Sequence, residues 1–131
     1  MASSTFCLAP RGNAAWSPRL DEALHAGCIP VLLADSYDPP FSHVLDYSTF
    51  SFNVSEQHVL DGSVNLLRFL ADVPQTKVRS MRAAGAAVRP FFRYRAFVEP
   101  QAESRHDTAC DDDVDATLLL AFELWRRLRA K

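Results

Sequence analysis

After a short polar start, the chain has an apolar run from Thr5 to Leu8 that is closed by Pro10. Arg11 to Trp16 reads as a loop. Ser17-Pro18 then sets up a helix: serine is a good N-cap, and proline fits the first helical position because no N–H is needed there. The helix is expected to run to Ala26 and stop at Gly27, since glycine takes the left-handed conformation that ends helices. Ile29 to Ala34 shows no polar alternation, which marks a strand covered on both faces. Strand, loop, helix and strand in that order form the unit of a parallel sheet.

Further along, Asp35 to Pro40 reads as a loop, with Pro39-Pro40 imposing extended geometry. Phe41 to Leu45 is expected to form a short helix closed by Asp46. Phe50 to Val54 alternates and reads as a strand with one exposed face. Val64 to Ala71 and Gln75 to Val88 carry helical spacing, and the small residues from Ala83 to Ala87 imply close packing. Phe91, Phe92, Tyr94 and Phe97 form an aromatic cluster after Pro90. Gln101 to Asp111 is polar and reads as a linker. Asp113 to Arg129 is expected to be a terminal helix, acidic at its start and basic at its end, in line with the helix dipole. The predicted fold class is α/β: part of a doubly wound sheet with a helical tail. The corresponding division is 1–100, a linker at 101–112, and a C-terminal helix at 113–131.

Composition changes this picture little. The 131 residues suffice for one ordinary domain, and 48% hydrophobic with 23% charged residues exclude wholesale disorder. The net charge of -2 supplies no global basic field, so nucleic acid is not an expected partner. Eight basic residues do gather between Arg68 and Arg105, and read as a solvated helix face, with attraction of an acidic polysaccharide or phosphate as the alternative. No apolar run approaches the roughly 20 residues of a membrane span. The first residues lack the basic start and apolar centre of a signal peptide. The chain taken as it stands is therefore expected to be soluble.

Three cysteines do not define the redox compartment. Cys7 and Cys28 lie on or beside successive predicted strands. Two buried thiols are the favoured expectation, with a disulfide as the alternative. Cys110 falls in the polar linker and reads as a free thiol.

Candidate chemistry concentrates around the first helix. Arg19 and Glu22 are three residues apart near its start, so both can face one ligand. A strand–loop–helix unit presents a helix N-terminus to phosphate. Those features read as a nucleotide-binding half-site, and a surface ion pair is the plainer alternative.

The motifs Phe6-Cys7-Leu8-Ala9-Pro10, Ser17-Pro18-Arg19, Glu22-Ala23, Gly27-Cys28-Ile29-Pro30-Val31 and Pro40-Phe41 resemble the exostosin family of glycosyltransferases. Val44-Leu45-Asp46-Tyr47 and Phe50-Ser51 fit the same pattern. The likeness is dense over positions 5 to 56 and looser beyond. It implies a GT-B enzyme of two domains, of which this chain carries part of the Rossmann-like C-terminal one. It further implies inverting transfer of a hexosyl or pentosyl group from a UDP-sugar to a glycan acceptor, in the Golgi, with the UDP-sugar as substrate and no separate cofactor.

Carried over by position, Arg19 becomes the diphosphate contact and Glu22 the ribose contact. A guanidinium fork can hold two phosphate oxygens and steady a leaving diphosphate. An ionised carboxylate accepts from paired ribose hydroxyls. Gly12 lets backbone approach the ligand closely, and Ser17 starts the helix beside it. Asp38, Phe41 and His43, with Tyr37, fall where the family approaches the donor sugar. No general base can be named, and the acceptor-binding N-terminal domain is a missing partner. The alternative is a truncated, non-catalytic paralogue that binds UDP or a glycan.

Other constellations carry less. Asp111-Asp112-Asp113 reads as helix-start acids rather than a metal site, and no metal is expected. His25, His43, His58 and His106 show no zinc-ligand spacing. Asn53-Val54-Ser55 is a glycosylation triplet, set within a predicted strand.

Overall fold

The computed structural model describes residues 4–12, 17–93 and 116–129. These fall into two compact units, 1–89 and 90–131.

The first unit is built on a three-stranded parallel sheet. Its strands are β1 (Phe6–Pro10), β2 (Ile29–Leu33) and β3 (Phe52–Val54), in the order β1-β2-β3. The helices are α1 (Arg19–His25), α2 (Glu56–Leu60), α3 (Leu66–Ala71) and α4 (Gln75–Val88). Phe6 pairs with Ile29 and Cys7 with Pro30, while Val31 pairs with Phe52. Successive side chains on a strand point to opposite faces. Phe6, Ile29 and Phe52 therefore share one face, where Val78 and Met81 of α4 pack on them. Cys7 takes the other face, against Ala23 of α1. β2 is thus covered on both sides, as the apolar Ile29–Leu33 run predicts: Ile29, Val31 and Leu32 are all buried.

α1 starts one residue later than expected, with Pro18 rather than Ser17 as its N-cap residue. Ser17 Oγ accepts the Arg19 N–H at 3.3 Å, and Glu22 N–H returns to the Pro18 carbonyl at 3.0 Å. Gly27 ends the helix at φ 71°, a conformation in which a Cβ would be strained. The α4 boundaries coincide with the predicted Gln75 to Val88.

Several expectations change. Pro10 does not close β1 but continues it, pairing with Leu33. β1 has only one neighbour in this sheet, so a residue lacking an N–H is tolerated there. Phe41 to Leu45 is not a helix. Phe41 sits at φ 60°, and its carbonyl receives the N–H groups of both Val44 and Leu45 at 2.8 Å, making a tight turn. Asp46 does not close a helix but opens one: it accepts the Ser48 N–H and caps a 3-10 turn at Tyr47–Thr49. That turn shortens the predicted strand 50–54, because the Phe50 and Ser51 N–H groups return to the Tyr47 carbonyl. The helix expected from Val64 begins at Leu66, where the Asn65 side chain accepts the Arg68 N–H at 3.0 Å. Sequence patterning does not anticipate α2; Ser55 caps it by accepting the His58 N–H.

Cys7 and Cys28 form a disulfide, with Cα atoms 5.8 Å apart, in place of the two free thiols favoured from sequence. Both cysteines are buried, and the bridge ties β1 to the entrance of β2.

In the second unit, α5 (Ala116–Arg129) is the terminal helix, with Arg126, Arg127 and Arg129 in its last turn. Glu123 bonds to Arg126 at 3.0 Å and to Arg127 at 3.1 Å. Phe91 and Phe92 belong to a short 3-10 turn. Tyr94, Phe97, the 101–112 linker with Cys110, His106 and the acids Asp111 to Asp113 lie outside the described residues.

Candidate functional site at the carboxyl edge of the sheet

In an open parallel sheet, ligands bind in the crevice beyond the carboxyl ends of the strands. Here that edge is formed by the residues following each strand: Arg11 after β1, Asp35 after β2, and Ser55 and Glu56 after β3. The Arg11 N–H donates to the Leu33 carbonyl at 3.1 Å, which extends the ladder by one bond and fixes the arginine over β2. Its Nε meets Glu56 Oε2 at 2.8 Å. Asp35 accepts the Gln57 N–H at 3.1 Å. The Ser55 hydroxyl and that N–H hold the Asp35 carboxyl below its ordinary range. Arg11, Asp35, Glu56, Gln57, Leu60 and Asp61 together line an open cavity of about 620 Å³. A narrow crevice that Arg11 also borders is lined by Ser17, Leu20, Ala34 and Tyr37.

Arg19 and Glu22 lie on one face of α1, with Nη1 3.4 Å from Oε2. About half of each side chain is exposed, 53% and 49%, so both can be reached by a ligand. They line neither of the two cavities just described. Ser17 accepts the Arg19 N–H just ahead of α1 and also lines the crevice. Gly12 is exposed and directly follows Arg11. His25 pairs with Asp21 at 3.0 Å.

Asp38, Phe41 and His43 fall on the loop between β2 and the 3-10 turn. Asp38 accepts the Ser42 hydroxyl, and His43 Nε2 lies 4.0 Å from its other oxygen. The Tyr47 hydroxyl donates to the Pro40 carbonyl at 2.7 Å, and burial pushes that phenol upward. Burial, helped by Asp38, raises Tyr37 as well. His43 lines a separate cavity of about 470 Å³ with Ser42, Asp46 and Asn53. The structure thus brings Arg19 to Glu22, and Asp38 to Ser42 and His43. It does not gather the two groups into one cavity.

Sequence reasoning missed Arg11, Asp35 and Glu56. Their signal is positional: each lies one or two residues beyond a strand end, which becomes informative once the three strands are known to be parallel. Among the described residues no cluster of His, Cys, Asp or Glu could hold a metal ion.

The family profile described as the Exostosin GT47 domain matches residues 1–70. The chain belongs to the exostosin GT47 family. A probable glucuronoxylan glucuronosyltransferase of Arabidopsis thaliana is 34% identical over 125 residues, which is 95% of this chain and 24% of that protein. Exostosin-2 of Homo sapiens is 37% identical over 82 residues, 63% of this chain and 11% of its own length. A second Arabidopsis thaliana protein, named as a probable glycosyltransferase, is 40% identical over 77 residues, 59% of this chain and 16% of that protein. The chain therefore spans a quarter or less of each of these relatives. Among the described residues no helix is long and apolar enough to cross a membrane.

Proposed function

We propose that this chain is the donor-binding portion of a glycosyltransferase, a partial Rossmann-like domain of the GT-B type. It takes part in transferring a hexosyl or pentosyl group from a UDP-sugar to a glycan acceptor, with inversion, in the Golgi. Arg19 holds the diphosphate and steadies the leaving UDP. Glu22 accepts from the ribose hydroxyls. Gly12 lets backbone approach the ligand, Ser17 sits beside the start of the helix that carries Arg19, and Asp38, Phe41 and His43 border the sugar. A companion GT-B domain supplies the acceptor face and the general base.

The observation that carries this reading is the pairing of Arg19 with Glu22 on one half-exposed face of α1, within the family-matching segment. Their own ion pair is exposed and adds little to stability, so both groups can be given over to a ligand at small cost. The names of the relatives, which include glycosyltransferases and a glucuronosyltransferase, support the transfer chemistry.

Isothermal titration of UDP into the full chain tests it. Saturable binding is expected, with Arg19→Ala weakening it about tenfold or more, the scale of one charge-assisted contact. Glu22→Ala should weaken UDP while leaving inorganic diphosphate binding in place. Absence of binding at millimolar UDP, or affinity indifferent to both substitutions, rejects the assignment.

A further inference from the structure

Asn53 is the central residue of β3 and is exposed. Its register partner is Leu32, which places it on the Cys7 face of the sheet. On that face α1 packs over β1 and β2. Asn53 instead borders the open cavity lined by His43, Asp46 and Ser48. It heads Asn53-Val54-Ser55, the chain's one Asn-x-Ser/Thr triplet, and valine at the centre permits its use.

A second observation concerns compartment. The disulfide between Cys7 and Cys28 sits in the core of the sheet unit. Such bonds form and persist in oxidising environments, including the lumen where asparagine-linked glycans are attached. An exposed acceptor asparagine and a core disulfide thus point to the same place by unrelated chemistry.

We propose that Asn53 carries an asparagine-linked glycan, added in the secretory lumen by the cell's own transferase. The donor is a lipid-diphosphate-linked oligosaccharide. The Asn53 amide nitrogen forms a bond to the sugar's C1 and loses one proton. The bond from C1 to the diphosphate oxygen breaks, and the lipid diphosphate leaves. No electrons are exchanged with an outside agent.

Folding order follows from Ser55. In the folded chain its hydroxyl accepts the His58 N–H and bonds to Asp35, so it is committed to capping α2. Transfer therefore precedes closure of α2. Asn53 is exposed, so the finished glycan extends outward from the rim of the cavity that His43 also lines.

The test begins with the chain purified from its source cells and digested with peptide N-glycosidase. A gain in mobility is expected, with Asn53 converted to Asp on mass spectrometry and the Cys7–Cys28 bridge intact in a non-reducing map. Full-length variants passed through the secretory pathway of a eukaryotic host are read on total chain, secreted and retained alike. Asn53→Gln should abolish the shift, and Ser55→Thr should keep it while preserving the cap hydroxyl. A source-purified chain with no shift, or a shift that survives Asn53→Gln, overturns the proposal.

Discussion

Arg11 Nε and Glu56 Oε2 meet at 2.8 Å across the carboxyl edge of the sheet, joining the end of β1 to the first residue of α2. Both side chains are partly exposed, so the pair should be worth only about 0.2–1 kcal/mol. A double-mutant cycle with Arg11→Ala and Glu56→Ala, read by urea unfolding, should give a coupling in that range. The coupling should shrink as salt is raised, because exposed charges are screened. A salt-independent coupling of several kcal/mol would contradict this account.

The Cys7–Cys28 bridge closes a loop with a sequence separation of 21. Constraining the unfolded chain over such a loop contributes about 3 kcal/mol. Reduction, or the double replacement of both cysteines by serine, should lower the unfolding free energy by about that amount. Thiol labelling of the native, unreduced chain should leave both cysteines unmodified.

Gly85 lies within α4, where a Cβ would meet Leu24 Cδ2 at 3.8 Å and the Phe50 Cβ at 3.9 Å. Those are ordinary van der Waals distances, and Gly85 is not among the residues at positive φ. Alanine is favoured over glycine in a helix interior by about 1 kcal/mol. Gly85→Ala should therefore stabilise the chain by roughly that amount, read as a higher melting temperature. Gly27→Ala should do the opposite, since its φ of 71° disfavours any side chain.

Two carboxyls give an acid limb with a defined sign. Asp35 is lowered by the Ser55 hydroxyl and the Gln57 N–H. Glu123 is lowered to about 2 by hydrogen bonds from Arg126 and Arg127. A carboxyl with a depressed folded pKa contributes stability that is present above its unfolded value, near 4. That contribution is lost as pH falls through the folded value. Unfolding midpoints should therefore drop below about pH 4, and Asp35→Asn should flatten part of that slope. An NMR titration of Asp35 with a midpoint at or above 3.8 would contradict the assigned cause.

Much of this molecule is legible locally. Ser17-Pro18 and the Gly27 stop bracket α1 to within a residue, the unbroken apolar run from Ile29 gives β2, and helical spacing gives the limits of α4. These signals lie within a few residues of what they specify, through capping bonds, allowed φ values and side-chain periodicity. The Arg19 and Glu22 pairing is legible in the same way, because residues three apart on a helix share a face.

The remaining features depend on partners distant in the chain, or on competition for one backbone group. Phe41 to Leu45 has helical composition, yet the left-handed Phe41 and the converging bonds on its carbonyl turn it into a loop. Strand three lost its first two residues because their N–H groups were claimed by Tyr47. The oxidised state of Cys7 and Cys28, and the meeting of Arg11 with Glu56, depend on parallel strand register. Register is set by packing both faces of the sheet at once, and no window of neighbouring residues contains that information.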